Sequence, residues 1–208
     1  MSARLGADHV GVAVDEDGLA PDGVSVSDAK SILSALPPTA TRLALTLSRD
    51  PDEVEYVAGE VNPAILHIGA DLASVAPGHV ERLKRRFPDV AIMRAVPVEG
   101  RDAIAAALEL ARVADYLLLD TRDRTTGKIG ATGRTHDWSL SAEIVRKVPT
   151  PVVLAGGLSE DNVADAIRLV RPWGVDSYSL TCIEGDLRHK DRVKVQGFVA
   201  AVRAADHD

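Results

Sequence analysis

Aromatic residues are scarce in this chain: two Phe, two Trp and three Tyr make up 3% of 208 residues. A core must therefore come from Val, Leu, Ile and Ala. One cysteine is present, Cys182, so no internal disulfide can form, and a reducing, cytoplasmic location is the expectation. No apolar run approaches the roughly 20 residues that a membrane helix needs. The opening MSARLGADHVGVAV also lacks the charged-then-apolar order of a secretory signal, so no membrane is expected as a partner. Positive charge is in short supply: 24 Lys and Arg stand against 31 Asp and Glu, a formal net charge of −7. Nucleic acid is excluded as a bulk partner, because phosphate backbones are bound by a clustered basic face.

Hydrophobic residues reach 46%, which marks a globular chain rather than a disordered one. Short apolar runs alternate with segments of helical period. The runs HVGVAV (9–14), RLALTL (42–47), AILHI (64–68), VAIMRAV (90–96), YLLLD (116–120), PVVLAGG (151–157) and GVDSYSL (174–180) predict strands. Most are apolar throughout, as in a parallel sheet covered on both faces. Helices are predicted over 27–35, with Ser27 as N-cap, and over 50–60, 77–87, 100–112, 139–147, 159–170 and 191–204. Ser159-Glu160-Asp161-Asn162 would put a cap and two acids in a first turn, at the positive end of a helix dipole. Seven βα units imply a parallel sheet with right-handed crossovers, and the count suits an α/β chain of the TIM-type (β/α) barrel class. Residues 1–208 read as one domain. The first unit is odd, since SARLGAD looks like the end of a helix, and the first βα unit is expected to be missing or incomplete.

In a parallel barrel the site lies at the C-terminal ends of the strands. The fifth predicted strand ends on Asp120 and opens into the polar stretch TRDRTTGKIGATGRTHDW. The sixth ends on Gly156-Gly157 before a helix, an arrangement that lets backbone N–H groups approach a phosphate. The seventh leads into Ser177-Tyr178-Ser179-Leu180-Thr181, which offers hydroxyls beside it. Each feature has a plainer reading: a strand-end aspartate that caps loop amides, and a glycine pair that serves a tight turn.

The segments DYLLLDT, GATGRTHDW, VVLAGGLSEDNVADAIRLVRPWGVD and HKDRVKVQGFVAAVR resemble phosphoribosylanthranilate isomerase. The resemblance runs from about Gly6 to Val202 and is most specific in the second half. It implies an eight-stranded barrel without cofactor or metal that rearranges an aminoaldose to an aminoketose in tryptophan biosynthesis. It implies Asp120 as general acid, and Gly156 and Gly157 as a phosphate loop; Ser179-Leu180-Thr181-Cys182 replaces the family's Ser-Ser-Gly loop, with the Ser179 and Thr181 hydroxyls as the phosphate donors read there. The loop Gly130, Ala131, Thr132, Gly133 matches the family's glycine loop. Arg94 stands where the family has Lys and would face the pocket. A phosphorylated small molecule is the implied ligand.

The departures are equally specific. The family's first strand, Lys-Ile-Cys-Gly, carries the cysteine base, and the resemblance finds no counterpart for it here. The family's Ser-Pro-Arg, whose arginine holds the anthranilate carboxylate, corresponds to Ala20-Pro21-Asp22. His67 is slipped by one position, which turns it to the other sheet face. His136 replaces a Phe and reads as a solvated loop histidine, and Cys182 reads as a small buried hydrophobe. A lost first strand would leave HVGVAV and GVDSYSL as edges, with an open or partner-filled seam and a homodimer as the expected outcome. Two alternatives remain beside the isomerase: a diverged barrel that binds another phosphorylated molecule, and a non-enzymatic binding paralogue.

Overall fold

A computed structural model describes residues 1–15, 20, 22–121 and 135–205. Seven parallel strands carry the α/β fold: β1 (His9–Val14), β2 (Thr41–Thr46), β3 (Ile65–Ile68), β4 (Ala91–Pro97), β5 (Tyr116–Asp120), β6 (Val152–Leu154) and β7 (Gly174–Val175). Their order in the sheet follows the chain, beginning on β1 and ending on β7. Helices alternate with them: α1 (Val26–Ser34), α2 (Pro51–Val61), α3 (Pro77–Arg86), α4 (Asp102–Leu110), α5 (Trp138–Lys147), α6 (Val163–Val170) and α7 (Arg192–Ala205). No described helix is long and apolar enough to cross a membrane.

The chain divides into two compact units. One comprises residues 7–95 and 113–115 and holds β1 to β3, most of β4, and α1 to α3. Its helices start where the backbone donors find acceptors. Ser25 Oγ accepts the Asp28 N–H at 3.1 Å, and Asp50 accepts the Asp52 N–H at 2.9 Å with Pro51 as first helical residue. Thus α1 is capped by Ser25, two residues before the Ser27 that the pattern suggests. α2 ends on Asn62 in the left-handed region at φ 47°, and Pro63 follows. α3 ends on Lys84-Arg85-Arg86, three cations at the negative end of its dipole. All four β3 residues are buried, whereas in β1 only Val14 is. Among the described residues β1 has the one sheet neighbour β2, and its exposed positions depart from the two-sided burial the sequence suggests.

The other unit comprises residues 1–6, 96–112 and 116–208. A 3-10 turn over Ser2–Leu5 closes on Gly6 at φ 98°, and α7 packs on it. β5 and β6 pair in register, with Leu117 opposite Val152 and Leu119 opposite Leu154, all buried. β7 is much shorter than the predicted 174–180. The ladder ends after the Asp176 N–H donates to Leu154 O, and Ser177 Oγ then donates to Leu158 O at 2.6 Å. The chain turns into a 3-10 helix at Ser179–Thr181 and then an antiparallel hairpin, β8 (Cys182–Ile183) and β9 (Asp186–Lys190). Gly185 at φ 78° makes the turn between them. α6 begins four residues later than expected, because Ser159–Asn162 form a separate turn that closes when Ser159 O accepts the Asn162 N–H.

Candidate active site

β5 holds Asp120 at its C-terminal end because three leucines before it are buried and fixed in the sheet. The carbonyl of Asp120 accepts the Val98 N–H at 2.9 Å, and the Ala155 N–H donates to Leu119 O at 2.8 Å. The carboxylate oxygen Oδ1 accepts the Thr121 N–H at 2.6 Å. Burial pushes the Asp120 carboxyl up to about 7, the Thr121 N–H opposes the rise, and the like charge of Asp176 adds to it. An acid poised there exists in both protonation states at neutral pH, as a general acid requires.

Gly156 stands directly against this acid. Its φ is 85°, and a Cβ placed on it would lie 2.5 Å from Thr121 Oγ1, 3.1 Å from Asp120 Oδ1 and 3.2 Å from His136 Nδ1. Gly157 follows at φ 65°. Both the left-handed backbone and the close approach demand glycine at 156. Asn162 locks the loop, donating through Nδ2 to Gly157 O and accepting the Ser159 N–H on Oδ1, each at 2.9 Å. Its side chain is therefore spent on the loop and does not cap α6.

Asp120, Gly156, Gly157, Asp176, Ser177 and Ser179 line a recess of about 20 Å³, room for roughly one water. A larger cleft of about 400 Å³ lies beside it, lined by Val98, Glu99, Arg101, Thr121, His136, Leu140 and Glu143 among others. Its charged lining is Glu99, Asp137 and Glu143 with Arg101, which pairs with Glu143 at 3.2 Å, a balance that does not suit an anionic ligand. The strand-end acids and the glycines gather at the smaller recess.

One residue of the recess, Asp176, and one that holds its wall, Lys190, escaped the sequence reading. Asp176 follows β7 as Asp120 ends β5, so the strand-end rule that found one acid applies equally to the other. Burial pushes the Asp176 carboxyl up, against the pull of Lys190; its surface is exposed, so water tempers the effect. Lys190 donates to Tyr178 O at 2.7 Å and Thr181 Oγ1 at 3.0 Å, with its ammonium 4.5 Å from the Tyr178 ring centre. β9 delivers it, an element the sequence pattern did not announce.

The remaining candidates fall in several places. Ser179 lines the recess. Thr181 is buried, and its hydroxyl lies 3.2 Å from Ser177 O and 3.0 Å from Tyr178 O while accepting from Lys190. Arg94 lies in the other unit, wholly buried, donating to Val75 O at 2.8 Å and Ala70 O at 3.1 Å. Burial holds its guanidinium down to about 10, opposed by Asp71. Gly130, Thr132 and Gly133 lie outside the described residues, as do Pro21 and Ala131. His67 is buried with Nε2 lacking a hydrogen-bond partner among the described residues, and burial, with Arg94 adding, pushes it down to about 4. Cys182 is buried with Sγ 3.2 Å from Tyr178 O, in keeping with the packing role read for it. His136 is not the solvated loop residue that the sequence suggests. It is part-buried, 3.2 Å from Thr121 Oγ1 through Nδ1 and 2.6 Å from Ser141 Oγ through Nε2, and burial pushes it down to about 4.

Residues 69–201 match the family model of N-(5'-phosphoribosyl)anthranilate isomerase. The chain belongs to this family. N-(5'-Phosphoribosyl)anthranilate isomerase 2 of Methanosarcina mazei is 34% identical over 199 residues, which span 96% of this chain and 86% of that one. Among solved structures, a phosphoribosylanthranilate isomerase in complex with reduced 1-(o-carboxyphenylamino)-1-deoxyribulose 5-phosphate has a TM-score of 0.76 at 26% identity, covering 98% of this chain and 91% of that one. Monomers generated from the dimeric phosphoribosylanthranilate isomerase of Thermotoga maritima give a TM-score of 0.76 at 25% identity over the same shares. The α/β class and TIM-type order of this isomerase family member are those read from its strand pattern.

Proposed function

We propose that this chain, a member of the phosphoribosylanthranilate isomerase family, catalyses the family's aldose–ketose rearrangement in tryptophan biosynthesis with Asp120 as general acid. The observation that carries the assignment is the Asp120 carboxyl, poised near neutrality at a strand end and pressed against Gly156. In this reading Asp120 protonates the ribose ring oxygen and the C–O bond opens to a Schiff-base cation; loss of its C2 proton to a base, a role assigned to no described residue, then gives the enamine that becomes the aminoketose. Gly156 and Gly157 take the phosphate through backbone N–H groups, and Ser179 supplies a hydroxyl beside them. Thr181 supports that segment from within through its bonds to Ser177 and Tyr178. The loop Gly130, Thr132, Gly133 belongs to the substrate side of the same reading, from which Arg94 is left out because it is wholly buried on Ala70 O and Val75 O; residues 1–208 act as one isomerase-like barrel domain. The location is cytoplasmic, in keeping with the single free Cys182. A homodimer is the proposed assembly, supported by the dimeric Thermotoga relative and by the poorly covered end strand β1.

The test is an assay with phosphoribosylanthranilate that follows loss of the substrate's anthranilate fluorescence. Turnover above the uncatalysed rate is expected, and its absence in folded protein overturns the reading. A second reading is favoured by Asp22, which stands where the resemblance places the arginine for the anthranilate carboxylate. It holds that another phosphorylated sugar is the ligand, and a thermal-shift screen of sugar phosphates beside the assay separates the two.

A further inference from the structure

We propose that His136 is a positioning residue for the acid: held between Thr121 and Ser141, it keeps the Thr121 N–H against the Asp120 carboxyl. This role rests on the isomerase reading above. The imidazole is held at both ends, by Ser141 Oγ at 2.6 Å from Nε2 and Thr121 Oγ1 at 3.2 Å from Nδ1. Ser141 is wholly buried on α5, and Asp137 fixes the start of that helix by accepting the Ser139 N–H. The anchor is thus a packed helix. From Thr121 the chain of contacts runs on through its N–H to Asp120 Oδ1 at 2.6 Å. Polar atoms of Asp120, Thr121 and His136 all lie within 3.2 Å of the point where a Gly156 Cβ would be. Three side chains therefore converge on one backbone position that only glycine leaves open.

The protonation state fits the role. Burial keeps the ring neutral at pH 7, with one nitrogen that donates and one that accepts. Two hydroxyl partners match it, since each can donate or accept. A charged imidazolium would set a cation beside Asp120 and favour its carboxylate form, discharging the acid. The neutral ring holds Thr121 without that effect. Its removal loosens the Thr121 N–H, the interaction that opposes burial and Asp176 at the acid. The Asp120 titration must then move upward.

The experiment compares His136→Phe, which keeps a ring and loses both contacts, with His136→Gln, which keeps a donor and an acceptor. The Asp120 carboxyl carbon is titrated by 13C NMR in the ligand-free protein, with Asp120→Asn identifying the signal. His136→Phe is expected to raise the midpoint by about half a pH unit or more, and His136→Gln to hold it within about 0.2. With phosphoribosylanthranilate, His136→Phe is expected to lower kcat about tenfold with KM within about twofold, and to move the high-pH limb of kcat upward. An unmoved midpoint in His136→Phe overturns the proposal, and so does an equal shift in both variants. The titration needs no turnover, so inactive wild-type protein would sink the isomerase reading alone.

Discussion

In the proposed isomerisation Asp120 and the two glycines divide the chemistry between them, and substitutions separate their parts. Asp120→Asn removes the transferable proton and keeps an oxygen for the Thr121 N–H. Turnover of phosphoribosylanthranilate should fall about 100-fold or more while affinity for ribose 5-phosphate stays nearly unchanged. Retained turnover would return Asp120 to the role of a strand-end cap. Gly157→Asp does the reverse. It puts a side chain and a negative charge where a phosphate must approach N–H groups, at a φ of 65° that aspartate tolerates at a cost of about 1–2 kcal/mol. Ribose 5-phosphate binding measured by calorimetry should disappear from a variant that still melts cooperatively, and wild-type affinity there would remove the glycine loop from the site. The sequence made this acid and this loop legible because both follow from where a strand stops. Asp176 obeys the same rule but was hidden behind the expectation of a longer strand. His136 was misread for a different reason: its burial depends on Ser141, Thr121 and Gly156, three contacts that no local pattern encodes.

At the level of elements, the seven parallel strands and the seven described α-helices were legible, because apolar runs and helical period survive in a core made of aliphatic residues. Boundaries moved where side chains compete with the backbone. Ser25 rather than Ser27 caps α1, and Asn162 ties the loop after β6 instead of starting α6. The β8–β9 hairpin went unseen, since Asp186–Lys190 reads DLRHK and carries little of a strand's apolar alternation. α7 offers a test of how elements pack. Gly197 lies inside it, where glycine costs about 1 kcal/mol relative to alanine. A Cβ there would overlap Glu160 Oε2 and lie 2.7 Å from its Cδ, with no backbone atom among its nearest neighbours. Glu160 is exposed, so its carboxylate can swing aside. Gly197→Ala is therefore expected to stabilise the protein by up to about 1 kcal/mol in urea unfolding. A clear loss of stability would mean that the Glu160 side chain is fixed and that α7 depends on this close approach.

Over the whole molecule, protons bound on folding oppose one another. His67 and His136 are held neutral, each near 4 against an ordinary 6.5. The unfolded chain binds those protons first, so both groups make stability fall as pH drops from about 6.5 to about 4. Asp120 acts in the other direction. Raised from 3.8 to about 7, its carboxyl holds a proton in the folded state through a window where the unfolded chain has lost it, so its contribution is full below pH 3.8 and lost as pH rises through 7. Asp176, also raised, has the same sign. Between pH 4 and 6.5 the two raised aspartates therefore work against the loss that the two histidines bring. Asp120→Asn takes one aspartate out of the balance. At pH 8 the wild type carries a crowded carboxylate that the variant lacks, so the variant should melt higher. Below pH 3.8 both side chains are neutral and the two melting temperatures should meet. A melting difference that is independent of pH would mean that Asp120 titrates at its ordinary value, and the acid proposed for the isomerisation would have no proton to give at neutral pH.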